Sequence, residues 1–247
     1  MLVEEYNELS KISFKELNRL KKLNNVLLIG DWAAHFLTND KYREWKNIDY
    51  IGSKDVDFGV RKKDFNKVSE KLIKFGYTPI NFRFYKIFDR ESKKEISENE
   101  SKKRPLFKNF YLYVDLVLDE QIKGKTTFFN DKIIKFSFEN KLWLDKNGFK
   151  VIKPELLVLI KIRILESRDE EKRLKDVLDS LFISNFSNLD IDFFRQLKEK
   201  FGINEVNIDI ARKILDSREL DLELSGLRFD SVEIRSIKTS FISLLNF

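Results

Sequence analysis

The run FYLYVDLVL, Phe110 to Leu118, is the most strongly β-patterned stretch of the chain, and a carboxylate, Asp115, sits in its middle. Aromatic and β-branched residues suit a pleated, half-buried surface, whereas Asp suits neither a strand nor burial. Asp115 therefore needs a partner, and the obvious one lies upstream in SKDVDFGV. Lys54 to Val60 reads as another strand, on which Asp55 and Asp57 project from one face while Val56 and Phe58 face the core. Two like charges that close repel, and burying either one alone is costly. A divalent cation between them removes both problems, and hard oxygen ligands suit Mg²⁺. An edge strand with a solvated acidic face is the competing reading.

A third element precedes these two. Val26, Leu27, Leu28 and Ile29 form a short apolar run that stops at Gly30-Asp31 and turns into a small-residue helix start, Trp32-Ala33-Ala34. A strand ending in a glycine turn, a D-x-D strand and a later strand Asp together resemble the nucleotidyltransferase (polymerase β-like) superfamily, over roughly residues 20 to 120. The resemblance implies an α+β fold, a mixed sheet with flanking helices followed by a helical domain. It also implies that Asp55, Asp57 and Asp115 are the catalytic and metal-binding carboxylates.

Composition narrows the class. The 247 residues suffice for one large domain or two small ones. Forty-seven Lys and Arg against 41 Asp and Glu leave a net charge of +6, which mildly favours a polyanionic partner. The absence of cysteine excludes a disulfide framework and thiol chemistry, and fits a reducing cytoplasm. No apolar run approaches membrane-spanning length, and MLVEEYNELS lacks the basic start and apolar core of a signal peptide, so no membrane is expected.

In chain order, Ser13-Phe-Lys-Glu reads as the cap of a helix carrying Phe14, Leu17, Leu20 and Leu23. The segment TNDKYREWKNIDYIG, before Ser53, shows no clear period and reads as a loop beside the site. Asp64 is placed to cap a helix running to Phe75, closed by Gly76. Residues 77 to 88 read as extended, and Asp89 to Pro105, charged with mixed sign, as a solvated hairpin connection rather than a lid. Lys132 to Phe138 alternates like a strand, and Phe149 to Ile152 reads as one more. From Pro154 the period becomes helical, giving a nucleotidyltransferase core over 1–150 and a helical domain over 151–247. Helices are expected from Pro154, over LKDVLDSLF, over Asp192 to Phe201 and over Asp230 to Leu245.

In this second half a helix carries Lys161, and the next opens with Lys175 directly before Asp176 and Asp179. That arrangement is similar to the helical half of AbiEii-type nucleotidyltransferases, the abortive-infection and toxin–antitoxin group. By that resemblance Gly30, Asp31, Lys161 and Lys175 bind the nucleotide. A snorkelling helix lysine paired to a nearby Asp is the physical alternative for Lys161. Two features depart from the family. Its turn carries Gly-Gly or Gly-Ser where this chain has Gly30-Asp31, and its spacer to the D-x-D strand is shorter. Either Asp31 is committed to capping the following helix, or transfer activity has been lost. His35 reads as an ordinary helix histidine, and Trp45 as the one tryptophan placed to stack on a base.

The resemblance thus implies Mg²⁺-dependent transfer, with two ions, from an NTP to an RNA such as a tRNA 3′ end or to a protein hydroxyl. A cognate antitoxin is then a further partner. The alternatives are an inactive binding protein of the same fold and a transferase for a small molecule such as an antibiotic.

Overall fold

The computed structural model describes residues 2–80, 83–122 and 130–246, with side chains from residue 9 onward. Its elements in order are α1 (Leu2–Leu20), β1 (Val26–Ile29), α2 (Gly30–Lys46), β2 (Val56–Val60), α3 (Phe65–Lys74), β3 (Thr78–Ile80), β4 (Arg83–Asp89), β5 (Glu95–Ile96), α4 (Glu98–Ser101), β6 (Asn109–Leu118), α5 (Lys132–Glu139), β7 (Trp143–Lys146), β8 (Phe149–Ile152), α6 (Pro154–Arg163), α7 (Glu170–Phe186), α8 (Ile191–Phe201), α9 (Glu205–Leu215), α10 (Arg218–Gly226) and α11 (Ser231–Asn246). The class is α+β. The chain divides into a sheet unit, residues 4–32 and 52–150, and a unit made chiefly of residues 33–51 and 151–247. Residues 33–51 thus group with the later helices, although in sequence they lie within the first 150.

In the sheet unit the strands run β3-β4-β6-β2-β1-β8-β7, with β5 added to β4. The sheet is mixed: β2 pairs parallel to β6, while β1 with β2 and β4 with β6 are antiparallel. All four residues of β1 are buried, as are Val56 and Phe58 of β2 and Leu112, Val114 and Leu116 of β6. That alternation leaves Tyr111, Tyr113, Asp115 and Val117 half-buried on the opposite face of β6. The charged connection between β4 and β6 carries β5 and the one-turn α4, whose Ser97 and Glu100 form a capping box.

Three elements differ from the sequence reading. Helix α1 starts well before Ser13, which is buried within the helix and accepts the Trp32 Nε1–H at 2.9 Å. The segment read as a loop is the second half of α2. Buried Ala34, Thr38 and Tyr42 lie one turn apart on one face, and Asn47, in the left-handed region at φ 55°, ends the helix. Lys132 to Glu139 is a helix, not a strand. Ile133, Ile134, Ser137 and Phe138 are buried at helical spacing, and the Ser137 hydroxyl donates to the Ile133 carbonyl at 2.7 Å. Asp131 caps it, accepting the Ile133 N–H at 2.7 Å. Asp64 does occupy the cap position of α3, but its side chain makes no cap bond and instead accepts from Asn25 at 3.2 Å.

The second unit packs α6 to α11 with most of α2. Helix α6 is mostly apolar and almost wholly buried, with the charged Glu155 and Lys161 buried among its aliphatic residues. An aromatic cluster of Tyr42, Tyr50, Phe182, Phe186 and Phe229 fills the space beside it, with Tyr50 stacked on Phe182 at 4.1 Å. Tyr42 ties the cluster to the backbone by donating to the Leu227 carbonyl at 2.6 Å. Helices α9 and α10, which the sequence period does not delimit, are capped by Asn204 and Ser217.

Because Asp131 is what starts α5, Asp131→Ala should lower stability by about 1 kcal/mol and Asp131→Ser by much less. A melting temperature lowered by roughly 2–4 °C for the alanine variant alone is the expected reading.

Candidate active site

The carboxylates Asp57 and Asp115 stand directly opposite each other on the parallel strands β2 and β6. Partners in register project from the same face of a sheet, so the two are neighbours there. Asp55 lies just ahead of β2, two residues before Asp57. Its Oδ1 accepts the Tyr113 N–H at 3.0 Å, which draws it toward β6, and its own N–H donates to the Ser53 hydroxyl at 3.2 Å. The three acids of the sequence reading therefore gather on one half-buried face of the sheet unit.

Gly30 belongs to the same arrangement. It has φ 67° and follows Ile29, the register partner of Asp57 on β1. A Cβ placed on it would lie 2.2 Å from Asp57 Oδ2. Only glycine permits both that backbone angle and that approach. Asp31, at the start of α2, lies close enough to push the pKa of Asp55 upward.

Arg83, which sequence reasoning missed, is the cation of this face. From β4, on the far side of β6, it binds Asp115 with both arms of its guanidinium, Nε to Oδ1 at 2.6 Å and Nη2 to Oδ2 at 2.8 Å. The guanidinium also lies over the Tyr113 ring, 4.5 Å from its centre. A fixed bidentate geometry makes this more specific than an ordinary surface pair, although Arg83 is 41% exposed. The signal available in sequence was a basic residue opening a strand rich in aromatic residues, Phe84, Tyr85 and Phe88.

Asp55 feels the resulting imbalance. Burial pushes its pKa up to about 6; the Tyr113 N–H and Arg83 oppose the rise, and Asp115 and Asp31 add to it. A carboxylate set with such an excess of negative charge is a chemically suitable seat for a hard cation.

Lys161 and Lys175 lie in the helical unit, within a buried ion cluster. Lys161 Nζ on α6 is 2.7 Å from Asp176 and 2.8 Å from Asp179, both on α7. Lys175 also bonds Asp179, one turn along α7, and the Tyr50 hydroxyl donates to the same carboxylate at 2.5 Å. Arg168 reaches Asp176 from the exposed side at 3.1 Å. A lysine buried on so apolar a helix needs such partners, because a buried charge without one is very costly.

His35, half-buried, places Nδ1 2.9 Å from the Tyr50 carbonyl, so that nitrogen carries the proton and donates; burial lowers its pKa. Trp45 packs against Phe186 and Phe229, each at 5.5 Å, and is 48% exposed. Among the described residues no helix is long and apolar enough to cross a membrane. The chain matches no protein-family model, and no curated protein matches its sequence.

The raised pKa of Asp55 has a sign that can be measured without metal. Its folded-state value lies above that of an unfolded aspartate, so the folded chain holds this proton more tightly. The contribution of Asp55 to stability therefore falls as pH rises from about 4 through 6 and stays lower above that. Asp55→Asn keeps an acceptor for Tyr113 and removes the charge. In EDTA it should melt higher than wild type at pH 7.5, with the difference vanishing near pH 4. A variant no more stable than wild type at pH 7.5 would show that the charge carries no such cost.

Proposed function

We propose that the chain has the nucleotidyltransferase fold and transfers a nucleotide from an NTP to a hydroxyl of RNA or protein, with Mg²⁺ as cofactor. The observation that carries this reading is Asp57 opposite Asp115 on adjacent parallel strands, with Asp55 on the same face and the Gly30 turn against Asp57. Asp55 and Asp57 would hold the metal. When bound, Mg²⁺ supplies neutralisation of the triphosphate and polarises its phosphoryl oxygens. Gly30, lacking a side chain at the head of α2, lets the backbone N–H groups of that turn approach phosphate. Asp115 would orient the acceptor hydroxyl and take its proton. Arg83 holds that carboxylate in place while each oxygen keeps a lone pair for the acceptor. The AbiEii resemblance also assigns Lys161 and Lys175 to nucleotide binding; both are held in the buried ion cluster of the helical unit. The AbiEii resemblance adds the role of toxin in a toxin–antitoxin pair, with an antitoxin as partner.

A second reading is a non-catalytic binding protein of the same fold. Two observations favour it: Arg83 engages both oxygens of Asp115, and Asp31 brings a further negative charge to the glycine turn.

Incubation with each α-labelled NTP, Mg²⁺ and total RNA separates the two. Label on RNA, or on the protein itself, is expected, and Asp57→Asn should reduce it roughly 100-fold or more, the scale of losing one preorganised electrostatic interaction. No transfer with any NTP, alongside intact Mg²⁺ binding, would overturn the catalytic reading in favour of the second.

In the same assay Arg83→Gln should weaken transfer with little change in the apparent affinity for NTP, since it frees Asp115 from its fixed orientation. Unchanged turnover would remove Arg83 from the positioning of the acceptor.

A further inference from the structure

A groove of about 420 Å³ in the sheet unit lies between α1 and the β4–β5 hairpin, away from the Asp57 face in its residues and chemistry. Its walls carry Lys11, Lys15 and Arg19 from α1 and Lys93 and Lys94 from the hairpin. The three α1 cations are spaced four residues apart, so they share one helix face at a rise of about 6 Å each. Like charges at that spacing destabilise a helix, and here they face two more across the groove. The acids of the groove, Glu16 and Glu95, are bound by the buried Lys86 at 3.2 and 2.9 Å, and Glu16 also by Arg19 at 2.7 Å. The lining is therefore predominantly positive.

The segment that follows this hairpin carries an apolar tip. Leu106 and Phe107 are 79% and 72% exposed, and the Arg90 N–H donates to the Lys108 carbonyl at 2.9 Å, fastening that turn to the start of the hairpin loop. Regularly spaced cations together with an exposed aromatic ring are what a single nucleic-acid strand needs: charges to meet its phosphates and a face for a base.

We propose that this groove binds the phosphate backbone of single-stranded RNA, with Phe107 as a stacking platform beside it. The site rests on the proposed transfer reaction only in the choice of RNA, and binding requires neither NTP nor metal. Binding of a fluorescein-labelled 20-nucleotide single-stranded RNA, followed by anisotropy in EDTA from 50 to 300 mM salt, tests it directly. The wild type should bind with an affinity that falls steeply with salt. The double variant Lys15→Ala/Lys94→Ala should bind more weakly, with a log–log salt slope shallower by about 1.4, since each phosphate left without its lysine accounts for about 0.7. Lys15→Arg/Lys94→Arg should bind as wild type, and Phe107→Ala should weaken binding while leaving the slope unchanged. Wild-type affinity and slope in the alanine double variant would overturn the proposal. So would capture by phosphatidylserine vesicles with no binding of RNA, which would make the surface a lipid-binding one. Because the assay contains no NTP or metal, failed transfer and failed binding remain separate results.

Discussion

The sheet unit is built around the cost of holding acids on one face of a buried sheet. Asp57 and Asp115 are brought opposite each other by backbone pairing, not by attraction. That pairing is stabilised by the apolar faces of β1, β2 and β6, whose side chains are fully or almost fully buried. Everything near the acids adapts to that placement. Gly30 lacks a side chain where Asp57 needs room, Arg83 clamps Asp115, and the Tyr113 N–H holds Asp55. Each adaptation meets one carboxylate. Burial makes the proton of Asp55 harder to remove than that of an ordinary aspartate, and Asp115 and Asp31 add to the effect.

The helical unit solves a similar problem in the opposite way. There Lys161, Lys175, Asp176 and Asp179 are almost completely buried, and each charge has a partner of opposite sign within hydrogen-bonding range. Tyr50 and Arg168 occupy remaining acceptor positions. A closed network of this kind fixes the relation of α6 to α7, because losing one member strands the others in a dry interior. The alternative physical reading of Lys161, a lysine paired to a nearby Asp, describes its immediate surroundings, although the residue is buried and does not snorkel to solvent.

Much of this was legible where side-chain period and turn chemistry agree. The strand stopping at Gly30, the acids on one face at Asp55 and Asp57, and the break toward helices at Pro154 are local patterns. The misreadings arise where a local pattern competes with tertiary burial. Lys132 to Phe138 alternates in polarity, yet Asp131 caps it and Ser137 hides its hydroxyl on its own backbone, so a helix satisfies both. Thr38 to Trp45 lacks an apolar period because polar residues such as Asn39 and Lys41 flank the buried Tyr42 on an otherwise ordinary helix. Between β7 and β8 the chain turns at Asn147-Gly148, both at positive φ, the pair that a tight two-residue hairpin demands. Arg83 could not be ranked from sequence, because its importance comes only from the strand it pairs with.

The parallel pairing of β2 with β6 has a kinetic side. Asp55 and Tyr113, joined by a hydrogen bond, are 58 residues apart, with β2, α3, β3, β4, β5 and α4 in between. Closing so long a loop costs entropy before any contact offsets it, so this pairing belongs among the slow steps of folding. Until it closes, Asp57 and Asp115 lie apart in water, where neither repels the other. The repulsion within the acidic face is therefore felt only once this long-range pairing has formed.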